Sequence, residues 1–101
     1  MRTSFSDTLN KVGKAITKSG GNIRIEGHTD NVPVAFSERF RSNWDLAAAR
    51  SASVASFFVN TTGIEQERLV VNGFADTKPI DSNDTPAGRA KNRRIEIIIN
   101  Q

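Results

Sequence analysis

Asp30 and Arg50 are the residues whose types and placement best suit chemistry. Asp30 closes Gly27-His28-Thr29-Asp30, directly after the alternating segment Ile23-Arg24-Ile25-Glu26. Ligands of α/β folds favour the crevice beyond strand C-termini. A carboxylate there binds an ammonium group or a metal ion; it equally caps a turn. Arg50 lies in an alanine-rich stretch between Ala49 and Ser51. On a helix, Asn43, Leu46 and Arg50 are spaced +3 and +7 and share a face, and small neighbours let a ligand come close. A guanidinium grips a carboxylate with two parallel hydrogen bonds; the plain alternative is a solvated helix arginine. Together the two charges suit a zwitterion such as an amino-acid head group, or they pair with each other.

Other chemistry is poorly supplied. His28 is the single histidine and reads as a structural hydrogen-bonding group. One histidine rules out a multi-histidine metal site, and the absence of cysteine rules out disulfides, thiolate zinc sites and a cysteine nucleophile. A hydrolase built on His28 and Asp30 lacks a nucleophile elbow or a metal set, and no phosphate-binding glycine loop is present. The reading is therefore a non-enzymatic domain with no cofactor and no metal. The net charge of +3, from 14 basic and 11 acidic residues, is mild. It favours an anionic partner without choosing among nucleic acid, membrane and cell-wall polymer. Arg89, Lys91, Arg93 and Arg94 form a basic cluster, but nucleic-acid readout needs aromatic stacking partners. The segment that follows is isoleucine and glutamate, so no nucleic-acid partner is expected.

The elements that must position these residues follow from periodicity. With 101 residues the chain makes one domain. Its 37% hydrophobic and 25% charged residues are ordinary for a globular protein. No apolar run approaches the ~18 residues of a membrane span, and Met1-Arg2-Thr3-Ser4-Phe5 lacks the apolar core of a signal peptide. Phe5, Leu9, Val12 and Ile16 predict one face of a helix that Gly20-Gly21 stops. Residues 23–26 predict a strand, and 31–41 a loop around Pro33. Ser42, with Asp45 three residues on, predicts the cap of a helix running to about Val59 and carrying Trp44, Leu46, Val54, Phe57 and Phe58. Leu69 to Phe74 predicts a strand. Thr85-Pro86 begins a short helix through Asn92, and residues 94–99 form a last strand with Ile95, Ile97 and Ile99 on one face. Gly27 and Gly73 mark close backbone approach or tight turns. The order α-β-α-β-α-β predicts a two-layer α/β (α+β) sandwich.

These pieces also recur in a known order. Gly27-His28-Thr29-Asp30-Asn31 is followed by Asn43-x-x-Leu46-x-x-x-Arg50, Gly63-Ile64, Arg68-Leu69, Gly73 and Pro79. The tail is Asn83-x-Thr85-x-x-Gly88-Arg89-Ala90-x-Asn92-Arg93-Arg94-Ile95-Glu96-Ile97. Over about residues 5–100 this resembles the OmpA-like C-terminal domain, a peptidoglycan-binding module. The long loop after Asp30, with Ser42-Asn43-Trp44 and later Ala75-Asp76-Thr77-Lys78-Pro79, resembles the flagellar stator B subunits of MotB/PomB type rather than porin-linked or Pal lipoprotein members.

The resemblance implies residues 1–101 as one such module, with a small mixed sheet and two main helices. It also implies a leading strand, with a Phe-x-x-Gly-Ser-like segment, that this chain lacks, and hence an N-terminal truncation. The implied ligand is the meso-diaminopimelate part of the peptidoglycan stem peptide. By the resemblance, Asp30 accepts from its ammonium and Arg50 grips its carboxylate. Thr29, Asn31, Asn43 and Leu46 lie in the matching pocket segments. Arg93 matches an arginine near the same site, and Arg94 takes a supporting role. Ala47 stands where serine is common and Ser51 where alanine is common; both are small. The implied setting is a periplasmic domain of an inner-membrane protein, a homodimer that joins a stator A subunit through a transmembrane segment outside this chain.

Overall fold

The computed structural model describes residues 3–34 and 40–100; the middle of the expected 31–41 loop, residues 35–39, lies outside them. The element order is α1 (Thr3–Lys18), β1 (Asn22–His28), α2 (Asn43–Phe57), β2 (Leu69–Ala75), α3 (Pro86–Asn92) and β3 (Arg94–Asn100). This is the predicted sequence of elements. β1 is central, parallel to β2 and antiparallel to β3, in a three-stranded mixed sheet of order β2-β1-β3. Along β1 the side chains alternate between faces. Ile23 and Ile25 enter the core with Leu9, Ile16, Val54, Phe58 and Ile64. Arg24, Glu26 and His28 take the other face. None of the helices is long and apolar enough to cross a membrane among the described residues.

In α1, Leu9 and Ile16 are buried and Val12 packs beside them. Phe5 is 39% exposed, against the expectation of a continuous buried stripe. Its turn overhangs the edge of the core, where the ring lines a groove. Arg68 ties down the other end of α1. It donates from Nε to the Gly21 carbonyl at 2.8 Å, and from Nη2 to the carbonyls of Ser19 at 3.0 Å and Ile16 at 3.3 Å. Ile16 lies in the last turn of α1 and Ser19 and Gly21 just beyond it, and a cation there suits the helix dipole.

α2 starts as its sequence predicts. Ser42 Oγ accepts from the Asp45 N–H at 3.3 Å. Asp45 is shorter than the usual glutamate, and its carboxylate accepts from the Arg41 N–H at 3.1 Å. The helix is regular to Phe57 and ends in a wide turn, Phe58–Thr62. There the Thr62 hydroxyl and the backbone N–H groups of Gly63 and Ile64 all donate to the Phe58 carbonyl, and Gly63 takes a left-handed φ of 73°.

The packing of α2 on the sheet is unusually close at one place. A Cβ on Gly27 would overlap the Ala47 carbonyl oxygen, and one on Gly73 would come within 2.8 Å of the Ala48 nitrogen. Both glycines therefore serve close backbone approach. Ser51 is wholly buried in this contact, and its hydroxyl donates to the Asn72 carbonyl at 2.9 Å. Trp44 continues the buried stripe Ala47-Ser51-Val54-Phe58 by spacing, yet is 54% exposed. Ala47 already lies over Gly27, one residue from the end of β1, so a turn earlier the helix has run past the strand.

Thr85 caps α3 through the Gly88 N–H. Asn92, at the end of α3, is completely buried. Its Oδ1 accepts from the Ile80 and Asp81 N–H groups, and its Nδ2 donates to the Asp81 carbonyl and to Asn83 Oδ1. One side chain thus fixes the polar loop before α3. On β3, Ile95 and Ile97 pack on the core; Ile99 is exposed at the far end of this edge strand.

Candidate functional site

β1 delivers Thr29 and Asp30 to the end of the sheet. The Thr29 N–H donates to the Ala75 carbonyl at 2.8 Å, which extends the strand pairing to the residue before Asp30. The Thr29 hydroxyl donates to the Asp30 carbonyl. Asn43, on the first turn of α2, donates from Nδ2 to the carbonyls of Val32 at 3.1 Å and Asp30 at 3.4 Å. Thr29 and Asn43 therefore shape the backbone that carries Asp30.

The Asp30 carboxylate is nearly buried and makes two contacts. Oδ1 accepts from the Val32 N–H at 3.1 Å, a local turn. Oδ2 accepts from Arg93 Nη1 at 2.7 Å. The turn-capping role and the charge role thus coexist. The cation beside Asp30 is Arg93, 63 positions away, and the alternative of a direct pair between Asp30 and Arg50 is not among the described contacts. A carboxylate offers about four acceptor positions, so two are left for a further donor.

Arg50 lies on the exposed side of α2 with no ion pair to any described residue. It shares a groove of about 690 Å³ with Phe5, Ser53, Arg93, Arg94 and Ile95. Arg93 joins the two halves of the arrangement, because it touches Asp30 and also lines this groove. Leu46 is half-buried and Asn31 is exposed; neither adds a polar side-chain contact with a described residue. The site offers one fixed carboxylate at the end of β1, and guanidinium groups over a wall that is apolar at Phe5 and Ile95.

Each residue of the basic cluster has a partner within the domain. Arg89 donates to the Asn83 carbonyl, Lys91 pairs with Asp81, and Arg93 pairs with Asp30. Arg94 pairs with Glu96 and donates to the Lys78 carbonyl.

His28 departs from its sequence reading. It is 2% exposed, and neither ring nitrogen has a hydrogen-bond partner among the described residues. The ring stacks on Phe74 at 5.3 Å between centroids, and Lys78 Nζ lies 4.3 Å from that of Phe74. Nε2 points between Glu26 Oε1 at 3.8 Å and Glu96 Oε2 at 3.7 Å. Burial, and next the Arg94 guanidinium, push the imidazole pKa below its ordinary 6.5. The hydrogen bond from Arg94 holds the Glu96 carboxyl below its usual range. Sequence reading missed this cluster because the β1–β3 register, which sets Glu26 opposite Glu96, is not visible in either strand alone.

Comparison with known proteins places the molecule. Motility protein B of Bacillus subtilis is 40% identical over 78 residues, 77% of this chain and 30% of that protein. The chain spans about half or less of the length of the curated relatives it matches. Among solved structures, the cell wall anchor of the T6SS from Pseudomonas aeruginosa matches with a TM-score of 0.89 and 38% identity, over 98% of this chain and 68% of that one. The C-terminal domain of Helicobacter pylori MotB matches with a TM-score of 0.90 and 27% identity, over 100% of this chain and 75% of that one. The OmpA family model matches residues 2–93. On that span, and on a mixed sheet and helices arranged as in the MotB domain, the chain belongs to the OmpA family.

Proposed function

We propose that this domain binds peptidoglycan non-covalently and anchors a larger envelope protein to the cell wall, without catalysis. The observation that carries the reading is the Asp30 carboxylate. It is held in one orientation by Arg93 and the Val32 N–H, beside a groove that contains the Arg50 guanidinium, which has no ion pair with any described residue. Asp30 accepts from the ammonium of meso-diaminopimelate, and Arg50 grips its carboxylate. Arg93 orients Asp30, and Thr29, Asn31, Asn43 and Leu46 complete the surrounding wall. Peptidoglycan is the partner, and residues 1–101 act as one module.

Similarity to Motility protein B and to the MotB domain supports a stator B subunit of the flagellar motor. In that reading the module is periplasmic and dimeric, and it belongs to an inner-membrane protein that assembles with a stator A subunit. The similarity to a T6SS cell wall anchor favours a second reading with the same ligand, an anchor of another envelope assembly, in the manner of porin-linked and Pal-type proteins.

An NMR titration with a diaminopimelate-containing muropeptide tests the shared core of both readings. Saturable shifts at residues 28–31, 43–50 and 93 are expected, lost in Asp30→Ala and Arg50→Ala. Binding that survives in both folded variants places the ligand elsewhere.

A further inference from the structure

We propose that Glu26, His28 and Glu96 form a binding site for a zinc-like divalent cation on the face of the sheet opposite the helices, separate from the Asp30 groove. The ligand atoms of the three residues lie within 4.8 Å of one another. Around a zinc ion with bonds of about 2.0–2.2 Å, tetrahedral ligand atoms sit roughly 3.3–3.5 Å apart. Nε2 of His28, at 3.7 and 3.8 Å from its two carboxylate neighbours, is within a side-chain adjustment of that spacing. Register supplies the arrangement: Glu26 faces Glu96 across β1 and β3, and His28 follows Glu26 by two residues on the same face.

Two features make the cluster more than neighbouring acids. The imidazole is fully buried, stacked in place on Phe74, and both its nitrogens are unpartnered among the described residues. A buried polar atom without a partner is costly, and a cation bound at Nε2 would satisfy one. The carboxylates are also held. Arg24 pairs with Glu26 Oε2 and leaves Oε1, the oxygen nearer His28, for a ligand. Arg94 holds Glu96 through Oε2, the oxygen that also faces His28, so the ion takes the other oxygen, Oε1, after a rotation of this half-exposed carboxylate. Outer-shell partners of this kind orient metal-binding groups. The Glu96 side chain is 41% exposed and gives the ion a way in.

Chemistry selects the ion. One imidazole nitrogen and two carboxylate oxygens suit zinc and its transition-metal neighbours, whereas magnesium and calcium prefer all-oxygen shells. The two arginines already balance the two carboxylates, so attraction for a cation rests on the donor atoms and not on surplus negative charge. Binding is therefore weaker than at a structural thiolate site.

The test is a zinc titration of the chain, labelled with nitrogen-15 in backbone and imidazole. A saturable one-equivalent shift of His28 Nε2 is expected, unchanged by millimolar magnesium. Glu96→Gln, at a half-exposed position, keeps the fold by thermal melt and weakens binding by about tenfold or more. Asp30→Ala leaves the zinc response intact and Glu96→Gln leaves muropeptide binding intact, which separates this site from the proposed peptidoglycan site. No saturable shift up to millimolar zinc overturns the proposal. So does a shift that is the same in Glu26→Gln and Glu96→Gln as in the parent chain.

Discussion

Two ionisable clusters lie near the C-terminal end of β1, and they are built in opposite ways. Asp30 sits past the strand, on a turn braced by Thr29 and Asn43, and its charge is answered by Arg93 from beyond α3. Glu26, His28 and Glu96 sit on the strands, placed by register alone. In the first cluster the buried group has partners, and Arg50, with no ion pair to any described residue, faces a groove. In the second the carboxylates are paired, and the unpartnered group is the buried imidazole. A group left unpaired at the surface costs little and stays available to a ligand; one left unpaired in the interior costs stability.

The largest test of this contrast is Asp30→Ala. Removing one partner of a desolvated charge pair costs about 2–5 kcal/mol, so muropeptide affinity should fall by tens- to thousands-fold in calorimetry. The imidazole resonance of His28 should stay in place. If it moves together with the affinity, the two clusters are one coupled unit and the contrast fails.

Asn92→Ala comes next. It removes the buried amide that accepts from the Ile80 and Asp81 N–H groups, at about 1 kcal/mol for each lost bond, and frees the loop ahead of α3. Urea unfolding should show the loss. Because Asn92 precedes Arg93, the Asp30 side should feel it more than the sheet-borne cluster, as amide exchange around residues 30–32 would report. Smaller again is Ser51→Ala, which removes the hydroxyl bond between α2 and the Asn72 carbonyl. A loss of about 1 kcal/mol is expected, with muropeptide affinity changed less than by Asp30→Ala. A large loss of affinity with little loss of stability would make Ser51 part of the binding surface.

The same contrast explains what could be read from the sequence. Element order was legible because Leu9, Val12 and Ile16 keep a helical period and Ile23 to Glu26 a strand period, each within a few residues. Gly27 and Gly73 were legible as close-approach positions. Arg93 entered through resemblance, because nothing local ties it to a carboxylate 63 residues earlier. Trp44 and Phe5 kept their helical spacing, but exposure depends on where the helix passes the edge of its sheet. His28 read as an isolated histidine because its neighbours come from strand pairing: Glu96 from β3 and Phe74 from β2.

The smallest effect concerns pH, in metal-free buffer. The folded-state pKa of His28 is lowered by burial and by Arg94, so between that value and 6.5 the unfolded chain holds more protons than the folded one. Stability therefore falls as pH drops through 6.5, and the contribution is complete above it. Glu96 is also lowered, by its bond from Arg94. Its contribution is complete above 4.5 and is lost as pH falls below that. The melting temperature at constant ionic strength should thus decline in two stages, one starting near pH 6.5 and one below 4.5. His28→Phe, which cannot take up a proton, should lose the first stage and keep the second, and Glu96→Gln should weaken the second. A melting temperature flat from pH 7 to 5 in the parent chain would mean that the imidazole is as easily protonated folded as unfolded. The sheet-borne cluster would then be no more strained than the groove, and the contrast between the two sites would lose its energetic basis.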